Sequence, residues 1–153
     1  MIRVIALGSR TACDDDAALI AVESMQLDAD VRLAGRPGPG LVDLLDPAVP
    51  TVLVDAIVSA GAPGSIVTLP LHELVDRVQA EGSISSHGLG VAEALQLARA
   101  LGRPLPEGSF VGIVAGQTKP GLGRSPEVER ALPGLRDAIG ITVAEWASRN
   151  RSH

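Results

Sequence analysis

Thr51-Val-Leu-Val-Asp-Ala-Ile-Val-Ser-Ala-Gly-Ala-Pro-Gly-Ser-Ile66 is the stretch whose pattern sets the fold class. It opens as a continuous apolar run, the signature of a strand buried on both faces of a parallel sheet. Asp55 interrupts the run, and Gly61, Pro63 and Gly64 follow as a loop. A carboxylate in or at the end of a buried strand is costly unless something pairs with it. In open α/β sheets, ligands bind just beyond the carboxyl ends of the strands. Asp55 therefore has a cation or hydrogen-bond partners, or it sits at a site.

The flanking segments extend the pattern. Ile2 to Leu7 reads as a first buried strand, closed by Gly8-Ser9. Asp14-Asp15-Asp16 opens a helix expected to reach Leu27, with Leu19, Val22 and Met25 as its apolar stripe. Acids in a first helical turn suit the helix dipole, and Asp is a favoured N-cap. Three in a row repel one another more than capping requires, so a nearby cation is an alternative.

Val31 to Ala34 is a short strand, 35–40 a Gly/Pro loop and Leu41 to Leu45 a brief helix. Beyond the central run come a strand over Ser65 to Leu69, a helix over Leu71 to Glu81 and a helix over Val91 to Leu101. Phe110 to Val114 is the last strand. Ser125-Pro126 supplies an N-cap with proline at the first helical position. That final helix is expected to break near Pro133-Gly134 and end about Trp146. Alternating strands and helices predict a three-layer α/β fold: a twisted, mostly parallel sheet of about five strands with helices on both faces. Residues 1–148 are expected to form one domain and 149–153 a short tail.

Composition narrows the function. The chain of 153 residues is 46% hydrophobic but 1% aromatic, with no Tyr, one Phe and one Trp, so its core has to be aliphatic. Its net charge is −5 and its pI about 5.1, without a basic patch or aromatic platform, which argues against nucleic acid. Cys13 stands alone, excluding an internal disulfide and fitting a reducing compartment. No run approaches the ~18 apolar residues of a membrane span. A soluble, cytoplasmic monomer without a membrane partner is expected.

His87, in the loop Gly82-Ser-Ile-Ser-Ser-His-Gly-Leu-Gly90, is the second polar residue to explain. A helix N-terminus disfavours its protonated form, and neutral imidazole is the form that ligates metal. A loop histidine bonded to backbone is the simpler alternative. Ser85 and Ser86 lack a nucleophile elbow. Three carboxylates beside Cys13 oppose thiolate formation. Gly88-Leu89-Gly90 lacks the third glycine and preceding strand of a dinucleotide fingerprint, and Cys/His zinc spacing is absent. Asp15, Asp55 and His87 remain, a donor set suited to a divalent metal of the nickel, zinc or manganese group.

Together these segments resemble the nickel–iron hydrogenase maturation endopeptidases over almost the whole chain. The resemblance is carried by Val54-Asp55-Ala56-Ile57 with Ala62-Pro63-Gly64, by Ser86-His87-x-Leu89-Gly90 with Ala94-Leu95, and by Leu101-Gly102, Pro106 and Val111-Gly112-Ile113. Leu122-Gly-Arg-Ser125-Pro126-Glu-Val128 looks like the family's lead-in to its last helix. It implies an enzyme that removes the C-terminal extension of a hydrogenase large-subunit precursor after nickel insertion. It also implies a nickel-recognising trio, here Asp15, Asp55 and His87, with the nickel supplied by the substrate and no organic cofactor. The first motif departs from the family's Gly-x-Gly-Asn, being Ala6-Leu7-Gly8-Ser9, and Asp14-Asp15-Asp16-Ala17-Ala18 replaces Asp-Asp/Glu-Gly-x-Gly. Counting from Gly8 selects Asp15, with Asp16 one residue away as a substitute. The altered motif also admits a non-catalytic module that binds the immature subunit, and a metal-free ligand-binding domain is a third reading.

Overall fold

The structure is a computed structural model that describes residues 1–59, 61–81, 90–116 and 123–152. The strands are β1 (Arg3–Leu7), β2 (Asp30–Gly35), β3 (Thr51–Ile57), β4 (Ile66–Pro70) and β5 (Gly108–Val114). The helices are α1 (Ala17–Glu23), α2 (Leu71–Glu81), α3 (Val91–Ala100) and α4 (Pro126–Arg151). The five strands form one sheet in the order β2-β1-β3-β5-β4, parallel except for the edge strand β4. This is the predicted three-layer α/β class.

Pleat alternation assigns the core. Val52 and Val54 of β3 face a cluster with α1 and α4, built on Ala18, Val22, Val128, Leu135 and Ile139. Leu53 and Ile57 face the other way, into a cluster with α2 and α3 that contains Leu74, Leu95 and Phe110. A period of two puts Asp55 on the Leu53/Ile57 side of the sheet. The chain leaves β1 toward β2 on one side and returns to β3 on the other. The strand order therefore reverses between β1 and β3, where an open sheet leaves a crevice at its carboxyl end.

Three expected boundaries are corrected. Residues 13–16 form a separate 3-10 turn, Cys13–Asp16, and α1 spans only Ala17–Glu23. No side chain caps α1, because the acids of the turn have tertiary partners instead. The brief helix expected over Leu41 to Leu45 is a 3-10 segment, Gly38–Leu44. Finally, α4 runs unbroken through Pro133 to Arg151, so residues 149–151 are helical rather than tail. An interior proline costs a helix about 3 kcal/mol, whereas burying one aliphatic side chain gains about 1.5–3 kcal/mol. Exposed Pro133 is outweighed by Leu132, Leu135, Ile139 and Val143, all buried along the same helix. Among the described residues no helix is long and apolar enough to cross a membrane.

Pro133→Ala is expected to raise stability by about 2 kcal/mol, the relieved helix penalty less the lost stiffening of the unfolded chain. A higher urea midpoint with an unchanged slope checks this; a lower midpoint would show that proline is favoured here.

Candidate active site at the β1–β3 crevice

The end of β1 is built around Gly8, whose φ of +137° admits an approach that no side chain allows. A Cβ there would lie 1.9 Å from the backbone oxygen of Asp15. The close approach presses the Cys13–Asp16 turn against the strand end. The Ser9 N–H donates to Asp15 Oδ2 at 2.7 Å. The same oxygen accepts from Arg36 Nε at 2.8 Å and lies 2.6 Å from Arg36 Nη2 in an ion pair. Asp15 is 4% exposed, so its charge is stabilised by the Arg36 guanidinium and a backbone dipole rather than by water.

Asp55 enters from the neighbouring strand. It is half-buried, and loss of hydration pushes its carboxyl up to about 8, with the negative charge of Asp15 acting in the same direction. A hydrogen bond from the Ala56 N–H and the charge of Arg36 offset part of this. Asp15 and Asp55 line one cavity of about 230 Å³, together with Gly8, Arg36, Leu41 and Val91. An acid and its conjugate base are both accessible to Asp55 near neutral pH, a property suited to proton transfer.

The other two acids have different roles. Asp14 is completely buried and spans the carboxyl end of the sheet. Its Oδ2 accepts from the Gly116 N–H at 2.7 Å and the Ser125 hydroxyl at 2.8 Å, and its Oδ1 accepts from the Ser125 N–H at 2.6 Å. The capping acid of this region thus serves α4, a helix more than a hundred residues away, and not α1. Asp16 pairs with Arg124 Nη1 at 2.8 Å and does not line the cavity. Geometry thus favours Asp15 over Asp16 beside Asp55.

His87 lies outside the described residues. The loop that carries it ends at Gly90, which lines the cavity with Val91 at the start of α3. Among the described residues, no three His, Cys, Asp or Glu side chains are grouped so as to hold a metal ion. Sequence reasoning missed Arg36 and the tether formed by Asp14. Three consecutive acids, too many for one cap, were the signal for both.

The family model for hydrogenase maturation proteases matches residues 22–140. The chain belongs to the hydrogenase maturation proteases. Among solved structures, the hydrogenase maturating endopeptidase HybD from Escherichia coli is 23% identical with a TM-score of 0.78, covering 95% of this chain and 93% of its own. The [NiFe] hydrogenase maturation protease HybD from Thermococcus kodakarensis is 28% identical with a TM-score of 0.69, covering 91% and 97%. A maturation protease HycI from the same archaeon is 18% identical with a TM-score of 0.60, covering 94% and 92%. The less similar of these speak for the fold alone. No curated protein matches the chain significantly. As a member of this protease family the chain is an enzyme of the hydrolase class, and the β1–β3 crevice is its candidate active site.

Two outcomes follow from the geometry. Asp14→Ala removes the acceptor of three hydrogen bonds from exposed Gly116 and half-buried Ser125 and should cost about 2 kcal/mol, the scale of hydrogen bonding to a charged group, read as a lower midpoint in urea. Asp55 holds its proton in the fold up to about 8 but releases it near 3.8 when unfolded. The native state thus binds the extra proton between these values, and the contribution of Asp55 to stability falls as pH rises through that window. Asp55→Asn should therefore gain stability over the wild type between pH 5 and pH 8. Parallel pH profiles of the two melting temperatures would refute the shift.

Proposed function

We propose that this protease removes the C-terminal extension of a nickel–iron hydrogenase large-subunit precursor once nickel is in place. In this reading Asp15, Asp55 and His87 engage the nickel that the precursor carries. The observation that carries it is the pairing of Asp15 and Asp55 in one cavity at the switch point of the sheet. Two carboxyl groups, one after β1 and one on β3, supply oxygen ligands of the kind that a divalent cation accepts. Gly90, three residues after His87 in the sequence, lines the same cavity, and this supports including His87 in the reading.

The chemistry follows from the charges. A cation bound to the substrate lowers the proton affinity of Asp55 and draws the carboxylate into its charged form. A scissile carbonyl or water beside that cation is polarised toward attack. Asp55, once the cation has drawn it into its charged form, is the group suited to take a proton from the attacking water. Asp15, already charged and held by Ser9 and Arg36, is suited to orient rather than to transfer. The reading implies a transient metal partner without an organic cofactor, and a cytoplasmic monomer as the working form.

A second reading is a binding module that holds the immature subunit without cutting it. The ion pair between Arg36 and Asp15 favours it, since a cation already occupies one carboxylate. Incubation with nickel-loaded precursor and intact-mass measurement separates the two. Loss of a C-terminal peptide from loaded but not nickel-free precursor is expected, and His87→Ala and Asp55→Asn should abolish it while the melts stay cooperative. A stable complex with an uncut cognate precursor would support the binding module instead.

A further inference from the structure

We propose that Arg36 is a latch on the site: it supplies the charge that Asp15 requires in the empty enzyme and has to yield to the cation of the substrate, and so sets which cations enter. The inference rests on the reading of Asp15 and Asp55 as cation-recognising groups.

Arg36 is placed for exchange. Its Nε and Nη2 converge on one oxygen of Asp15, which also takes the Ser9 N–H. Burial of the pair is lopsided: the Asp15 side chain is 5% exposed and that of Arg36 is 41% exposed. The carboxylate cannot turn to water, whereas the guanidinium is already partly hydrated and its long stem can swing outward. The base of the arm is fixed meanwhile, because the Gly35 carbonyl accepts the Gly8 N–H at 2.8 Å. A side-chain rotation, with no movement of the sheet, would expose the Asp15 oxygen.

Arg36 also lines the cavity that contains Asp55, so a cation arriving between the two acids meets a resident positive charge. A free aqueous dication has to break a charge-assisted hydrogen-bonded pair and then sit beside the displaced guanidinium. Nickel embedded in a precursor arrives with the additional contacts of a protein surface, which offset that cost. The latch thereby distinguishes loaded precursor from ions in solution.

Titration calorimetry with nickel chloride tests the latch in the wild type, Arg36→Ala and Arg36→Gln. The glutamine variant removes the charge but retains an N–H donor for Asp15, in case alanine destabilises the turn. Both neutral variants should bind nickel at least about tenfold more tightly than the wild type, the scale of one charge-assisted hydrogen bond. Arg36→Lys should remain weak, and adding Asp15→Asn to Arg36→Gln should abolish the gain. Nickel binding by folded Arg36→Gln that is no tighter than wild type, including no detectable binding, overturns the latch. So does a gain that survives Asp15→Asn. Cleavage of loaded precursor by the wild type with unchanged nickel affinities would sink the latch and leave the protease reading intact. Tighter binding in the variants with no cleavage by the wild type would do the reverse.

Discussion

Three consecutive carboxylates, two buried and the third partly so, stand at the end of β1, and the carboxyl side of the sheet is arranged to pair them. Each finds a different partner: Asp14 the backbone of Gly116 and Ser125, Asp15 the Ser9 N–H and Arg36, Asp16 the guanidinium of Arg124. An isolated charge in such a place would be neutralised or expelled. Pairing keeps the acids in place and joins segments distant in sequence. The loop after β2, the loop after β5 and the start of α4 are all held to one four-residue turn.

That arrangement divides the work between neighbouring residues. Asp14 is a structural tether, Asp16 a salt bridge to Arg124, and Asp15 turns into the cavity that Asp55 enters from β3. The two acids of the cavity differ in environment. One has a guanidinium on it, while the other loses hydration with a like charge nearby and retains its proton to higher pH. An ion-paired carboxylate beside a carboxyl whose burial raises its proton affinity gives a single crevice both an orienting group and a proton acceptor.

Much of the fold was legible because it rests on periodicity. The apolar run at Thr51–Ile57, the alternation of strands with helices and the Ser125-Pro126 start signal all correspond to observed elements. Local rules failed where long-range packing overrides them, as at Pro133, where the buried face of α4 outweighs one missing N–H. They failed again at Asp14-Asp15-Asp16, where a good helix start became a 3-10 turn. Asp55 was conspicuous in sequence as an acid in an apolar strand. Arg36 was not, because a lone arginine in a Gly/Pro loop has the pattern of a solvated turn and its partner is 21 residues away.

The Asp14 contacts also bear on how the enzyme comes to exist on the ribosome. They join residues separated by 102 and 111 positions, so the turn that aims Asp15 is clamped only after the C-terminal part of the chain has been synthesised. Contacts of such separation carry a loop-closure cost and form late compared with local structure. A nascent chain containing β1 and β3 already has Ser9 and Arg36 to hold Asp15 but still lacks the Gly116 and Ser125 donors of Asp14. The tether at Asp14 therefore closes only when the last helix docks, which makes the end of the chain a condition for the finished turn.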